Sequence, residues 1–315
     1  MSCIFSQKTI PHCTVSLGIF SPAATETSNL WFAISRLSEP TAHATPPFFL
    51  DTRRQSIRWL YEKGIILNAS LREWQRLHNK YRGQNGFVIG NGPSLTMEDL
   101  DRIAGKPSIG SNKIYLAYEQ TYFRPTMLTC VDQIVAESMV EDLRNISGNK
   151  YFSHLLAPFI EPMPGAIYWM DISGATKDPN LLRKFSFDAS NGLYSGHTVT
   201  YNNLQLAYHL GFKTVYLIGM DFRFLLPEQK EMYTDIPVLI SDRERNHFHP
   251  NYRKRGERWT VPKLGLQRVA FQAARLHFEN NRRKIINATR GGDLDVFERL
   301  DQMKLSRNGM TDPEP

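Results

Sequence analysis

VIGNGPSL, residues 88–95, carries the first clear structural punctuation of the chain. The apolar run GFVIG (86–90) ends on Gly90, and Asn91, Gly92, Pro93 and Ser94 follow. A helical pattern, SLTMEDLDRIAG (94–105), then begins at once, with Ser94 or Thr96 placed to cap it. The order is strand, tight loop, helix. Glycines let a main chain approach another group closely, and a helix N-terminus offers unpaired N–H groups at the positive end of a dipole. Asn-Gly and Gly-Pro are also ordinary turn formers, so the loop alone fits a plain βα turn as well as a seat for a phosphate. It is neither a GxGxxG fingerprint nor a P-loop, which needs a lysine after its second glycine.

The same rhythm continues outward. PSIGSN (107–112) and TMLTCVD (126–132) read as short strands, and IVAESMVEDLRN (134–145) as an amphipathic helix. YFSHLL (151–156), AIYWM (166–170) and KFSFD (184–188) are weaker strand candidates. TVTYNNLQLAYHLG (198–211) is a helix, and KTVYLIGMDF (213–222) is the most strand-like segment of the chain. A helix over 264–279, a strand KIINA (284–288) and a short helix near 293–300 complete the pattern. Alternating strands and helices predict an α/β fold: a doubly wound, mostly parallel Rossmann-like sheet with helices on both faces. In such sheets, ligands bind beyond the C-terminal ends of the strands, where the motifs of this chain fall.

Before that unit, DTRRQSIRWLYEKG (51–64) and SLREWQRLHNKYRG (70–83) read as two helices, each ending on glycine. The predicted organisation is therefore a leader over 1–50, a helical N-terminal extension over 51–83, a nucleotide-binding catalytic domain over 84–300 and a flexible tail over 301–315. The leader is rich in Ser, Thr, Ala and Pro, almost uncharged and aperiodic, as disordered segments are. SLGIF before SPAA also fits a short signal peptide, although its apolar stretch is interrupted.

In bulk the 315 residues are 41% hydrophobic and 22% charged, the composition of a soluble globular protein. No apolar run approaches the roughly 20 residues of a membrane-spanning helix. The three cysteines, Cys3, Cys13 and Cys130, have no metal-ligand spacing, which points to a reducing compartment, and Cys130 sits in an apolar run suited to a core. The net charge of +7 invites a nucleic-acid reading. Its basic residues, however, concentrate in 243–258 and 282–284, and clusters of that size suit a nucleotide, an anionic glycan or a membrane surface. No aromatic RNA motif or zinc pattern accompanies them, so no nucleic-acid partner is expected.

Several strand ends carry candidate chemistry. Ser111 and Asn112 follow the second strand, and an asparagine reads a base or ribose through both donor and acceptor. Asp132 and Asp221 end two further strands, as substrate contacts or as helix caps. Ser195-Gly196-His197-Thr198 precedes a helix and forms a second anion-friendly N-terminus. RNHFHPNYRKRGERW (245–259) places His247 and His249 in a Pro-broken basic loop, where either suits a general base. HxH also binds metals, but no further Cys or His cluster supports that, so no metal ligand is assigned.

With GNGPSL, SNKIY, SGHTVTYNNLQLAYHLGFKTVYLIGMDF and NHF in this order, residues 84–300 resemble a superfamily with two branches. One comprises bacterial CMP-sialic acid transferases that decorate surface glycans. The other is the 6-hydroxymethylpterin diphosphokinase (MptE-like) family. The transferase resemblance implies that Gly90, Asn91, Gly92, Pro93, Ser94 and Asn112 hold a cytidine nucleotide, with Ser195 and Gly196 lining the same site. It implies a histidine general base, matching His247 best and His249 otherwise. Arg223 stands where those transferases carry a tyrosine that assists the leaving phosphate, so it takes that electrostatic role or marks a different donor. The implied partners are a CMP-sugar or other nucleotide and a glycan or small-molecule acceptor. The implied location is the cytoplasm, including peripheral association with the inner face of the membrane. The transferase scheme requires no cofactor. The diphosphokinase scheme requires Mg²⁺ and ATP, with Asp132 or Asp221 as candidate ligands.

Overall fold

The computed structural model describes residues 65–160, 163–173, 183–233 and 236–300. The expected leader over 1–50, the first expected helix over 51–64 and the tail over 301–315 lie outside the described residues. The chain runs α1 (Ile65–Leu77), β1 (Asn85–Ile89), α2 (Met97–Arg102), β2 (Ser108–Ser111), β3 (Met127–Cys130), α3 (Gln133–Asn145), β4 (Lys150–Ser153) and β5 (Ala166–Trp169). It continues through α4 (Val199–His209), β6 (Thr214–Ile218), β7 (Lys230–Tyr233), β8 (Ile236–Ile240), β9 (Arg258–Thr260), α5 (Leu264–Asn280), β10 (Lys284–Asn287) and β11 (Glu298–Arg299).

Eight strands form one parallel sheet in the order β11-β10-β6-β1-β2-β3-β4-β5. From β1 the chain winds outward through β5, then returns to the other side of β1 as β6 and winds the opposite way. The order therefore reverses between β1 and β6, whose five-residue register runs from Asn85↔Thr214 to Ile89↔Ile218. Both strands are buried at nearly every position, as a sheet covered on two faces requires. Val88, Val215 and Leu217 face a core built with Trp74, Leu204, Leu206 and Phe271 from α1, α4 and α5. Successive strand residues alternate sides, which turns Phe87, Ile89 and Ile218 to the opposite face.

Several expectations are corrected. α1 begins earlier than predicted and stops at Leu77, because Asn79 turns left-handed (φ 56°). The Asn79 and Tyr81 amides then donate to His209 and Leu210 carbonyls, both at 2.8 Å, so the chain leaves the helix to clasp the end of α4. KFSFD is not a strand; its backbone bonds go to side chains of α4, with Gln205 Oε1 accepting from Ser186 and Tyr201 hydroxyl donating to Lys184. The short helix expected near 293–300 is instead a loop and β11: Asn287 Nδ2 holds the Leu294 carbonyl, and the Leu300 amide donates to Asn287. Unforeseen is a small antiparallel sheet, β7-β8-β9, inserted after β6.

Candidate functional site

A cleft opens at the C-terminal ends of β1 and β6, at the point where strand order reverses. That is where doubly wound sheets place ligands, since the two flanking loops diverge there. Its lining comes from the loops after β1, β2 and β6, the first turn of α4, and the 246–252 segment.

The glycine loop is built by contact with its neighbour. The Gly90 amide donates to Ile218 and the Gly92 amide to Gly219, both at 2.9 Å. A Cβ on Gly90 would lie 2.3 Å from the Gly219 carbonyl oxygen, and one on Gly92 would lie 1.9 Å from Asp221 Oδ2. Asp221 also accepts from Ser94 Oγ at 2.7 Å and from the Ser94 amide at 3.3 Å. The close approach that these glycines allow is thus to the β6 loop. Beyond them, Thr96 caps α2 in a box with Asp99, and Glu98 and Asp99 occupy the first turn. Two carboxylates at a six-residue helix start oppose a phosphate there.

Asparagines face the cleft instead. Asn91 Nδ2 donates to the Ser111 carbonyl at 3.0 Å, which fixes the amide orientation and leaves Asn91 Oδ1 buried without a partner. Asn112 Oδ1 is likewise buried and unpartnered, on a residue in the left-handed region (φ 52°). A buried acceptor without a donor costs about 1–3 kcal/mol. Phe222, a bulky aromatic, is also left-handed (φ 55°) and lines the same cleft. Such backbone strain clusters at working sites.

The second glycine loop presents a helix differently. Thr198 caps α4 by accepting from the Thr200 amide, and no acidic residue lies in the first turn. Thr198, Val199 and Thr200 line the cleft. Ser195 and Gly196 stand behind them: the Ser195 amide donates to Ser173 Oγ, and Gly196 packs on the Tyr201 ring.

The two histidines separate clearly. His247 lines the cleft, and its ring stacks on Tyr252 at 3.7 Å with 5° between the planes. Burial, with the positive charges of Arg253 and Lys113 adding to it, holds its imidazolium well below the ordinary histidine range, so the ring is neutral at pH 7. His249 caps the turn Pro250–Tyr252 through Nδ1 and does not line the cleft. Phe248 between them donates its amide to the Asn91 carbonyl at 2.9 Å, tying this segment to the glycine loop. The buried Asn246 side chain holds Leu225 by both its amide and its carbonyl.

The basic stretch is organised by ion pairs. Arg253 is buried against Glu244 at 3.5 Å and stacks over Trp259 at 4.1 Å. Lys113 reaches Glu257 at 2.7 Å; burial alone would raise that carboxyl, but Lys113 and the Lys254 amide hold it below its ordinary value. Arg255 pairs with Asp242 and Arg258 with Glu231. Arg223 lines the cleft mouth, exposed, in a two-pronged pair with Asp293 at 2.6 and 2.9 Å.

Of the residues singled out in the sequence, Gly90, Asn91, Gly92, Asn112, Asp221, Arg223 and His247 line the cleft together. Pro93, Ser94, Asp132, Ser195, Gly196 and His249 do not. Asp132 caps α3 and accepts from Thr260 Oγ1 at 2.6 Å, the helix-capping alternative weighed for it. Of the Ser195–Thr198 stretch it is Thr198 that lines the cleft, and Asn246 and Tyr252 were missed. Each adjoins a motif residue, but only the folded loops bring them to the cleft.

The sequence profile of the 6-hydroxymethylpterin diphosphokinase MptE-like family matches residues 65–226, about half of the chain. The chain belongs to the MptE-like family. The matched span of this MptE-like chain runs from α1 to just past the Asp221 loop, so it includes both cleft-forming glycine loops but not the His247 segment. The structure is similar to that of the MAf glycosyltransferase from Magnetospirillum magneticum AMB-1, at 15% sequence identity and a TM-score of 0.46. That similarity covers 74% of this chain and 36% of the other, so the chain spans about a third of that protein's length. No curated protein matches the chain. Among the described residues, no helix is long and apolar enough to cross a membrane.

Proposed function

We propose that this MptE-like protein is a glycosyltransferase that moves a sugar, of the keto-acid type, from a CMP donor to a hydroxyl of a surface-glycan acceptor. The observation that carries the reading is the pairing in one cleft of two buried, unpartnered amide oxygens, Asn91 Oδ1 and Asn112 Oδ1, with the neutral His247 ring. The amide oxygens accept from the amine and hydroxyl groups of a nucleoside. The phosphate lies toward the first turn of α4, where N–H groups and the dipole favour an anion. His247 takes the proton of the acceptor hydroxyl as its oxygen bonds to the anomeric carbon. The sugar–phosphate C–O bond breaks, and CMP leaves with the electron pair. Arg223 at the cleft mouth offsets the phosphate charge.

The family description favours a second reading, pyrophosphoryl transfer from Mg²⁺-bound ATP to a hydroxymethylpterin-like alcohol. That chemistry places several phosphates and a metal ion in one site. The lining here offers one carboxylate, Asp221, whose Oδ2 already receives Ser94, and one cation, Arg223, already paired with Asp293. The charge balance of the cleft therefore suits a nucleoside monophosphate better.

Release of CMP from CMP-linked keto-acid sugars, with water as surrogate acceptor and a chelator present, tests the reading. The native protein should release CMP, and His247→Ala should slow release at least a hundredfold. Activity confined to Mg²⁺–ATP with a hydroxymethylpterin would replace this reading with the second.

A further inference from the structure

His78, Asp188 and His209 come from three distant stretches of chain, yet ligand atoms of all three lie within 4.8 Å of one another. They meet at the C-terminal end of α4. Ten residues separate His209 from Val199 at the cleft, which at 1.5 Å per residue is about 15 Å.

The hydrogen bonding of His209 does not balance. Nε2 lies 2.9 Å from the Trp74 carbonyl, which only accepts, so Nε2 carries the proton. The Ala189 amide donates to Nδ1 at 3.2 Å, so Nδ1 holds the lone pair. Yet Asp188 Oδ1 stands 3.2 Å from the same Nδ1, and Asp188 Oδ2 stands 3.6 Å from His78 Nδ1. A carboxylate oxygen and an imidazole lone pair thus face each other with no hydrogen between them. Protonating His209 would supply one, at the expense of the Ala189 contact.

A metal cation reconciles the opposed lone pairs, and it too would displace the Ala189 amide from Nδ1. Around tetrahedral zinc, with bonds of about 2.0–2.1 Å, neighbouring ligand atoms sit about 3.3–3.4 Å apart. The 3.2 Å from Asp188 Oδ1 to His209 Nδ1 is close to that spacing, and one ligand atom from each of the three residues lies within 4.8 Å of the others, so the half-exposed His78 ring would turn inward to complete the set. The Nε2–H bond to a backbone carbonyl is the outer contact that fixes the tautomer of metal-binding imidazoles. The His78 and Asp188 side chains are 43% and 31% exposed, which gives an ion access and leaves room for water as a fourth ligand. We propose that His78, Asp188 and His209 form a structural Zn²⁺ site that ties α1 and the 189–191 turn to the end of α4. It is independent of the cleft chemistry and of any Mg²⁺ bound there.

The test uses full-length protein stripped with a chelator and then titrated with Zn²⁺ by calorimetry, with Co²⁺ as a spectroscopic stand-in. One equivalent of Zn²⁺ should bind and raise Tm, and Co²⁺ should give the intense visible absorption of a four-coordinate site. His78→Ala removes a half-exposed ring and should lower zinc affinity at least tenfold. Asp188→Asn, which keeps an acceptor for the Ser190 amide, should do the same, and His249→Ala should leave affinity unchanged. Absence of zinc binding, or affinity indifferent to His78→Ala, overturns the proposal. Loss of binding in His249→Ala alone also overturns it, by moving the metal to the basic loop.

Discussion

Two glycine-rich loops in this protein each end on a threonine that caps a helix, and they do opposite work. After Gly90-Asn91-Gly92, the amides turn into the β6 loop, and the six-residue α2 opens with Glu98 and Asp99. After Ser195-Gly196, the eleven-residue α4 opens without an acid, and Thr198, Val199 and Thr200 face the cleft. The first loop is a frame: it fixes Asn91, and through the Phe248 amide it fixes the histidine segment. The second is the electrostatically open end. A glycine loop before a helix suits an anion only where the first turn of that helix carries no competing charge.

The largest effect should come from the residue that the frame positions. His247→Ala should reduce turnover about 10²–10⁴-fold, with CMP affinity in calorimetry nearly unchanged. Parallel losses of both would make His247 a binding residue. A base must be neutral to act, and the His247 imidazolium is held well below the ordinary histidine range. The acid limb of kcat/KM should therefore lie below pH ~6.5, the unperturbed value. A limb at or above that value would show that His247 is not the group titrating.

Next is the frame itself. A Cβ on Gly92 would sit 1.9 Å from Asp221 Oδ2, so Gly92→Ala must displace the Asp221–Ser94 contacts. A loss of about 1–3 kcal/mol is expected, read by denaturant unfolding, together with weaker nucleotide binding. Unchanged stability would show that the loop yields freely.

A matched pair of substitutions separates the two loops most cleanly. Thr96→Ala and Thr198→Ala each remove a helix cap and should each cost about 1 kcal/mol of stability. Only Thr198→Ala should weaken CMP binding. Equal binding losses would erase the distinction between the loops. The smallest effect belongs to Arg223→Ala: its pair with Asp293 is exposed, so Tm should barely move, while KM for the donor rises.

Much of this was legible in the sequence, for local reasons. GFVIG and TVYLI are apolar runs bounded by glycine, Asp132 and Thr198 cap α3 and α4, and α5 shows by its period, so the parallel sheet followed. What escaped depends on distant partners. β7 is KEMY, three of its residues exposed, and β8 contains Pro237, so neither resembles a strand until they pair. DLDVFERL has a helical look, but the parallel pairing of β11 with β10 overrides it. At the site, residue types indicated Asn112 and the pair His247 and His249, and the family resemblance added Asn91 and the preference for His247. That the Gly90 and Gly92 amides are engaged depends on β6, more than a hundred residues later. The separation of His247 from His249 likewise depends on Tyr252 stacking and a turn cap.

We propose that the cleft holds a cytidine monophosphate by asparagine oxygens and the α4 N-terminus. Calorimetric titration of CMP in the presence of a chelator, beside ATP with Mg²⁺, tests this most directly. One equivalent of CMP should bind without metal, Asn112→Ala should weaken it at least tenfold, and ATP with Mg²⁺ should not bind the cleft. Binding confined to ATP with Mg²⁺ and indifferent to Asn112 would contradict a cytidine monophosphate site.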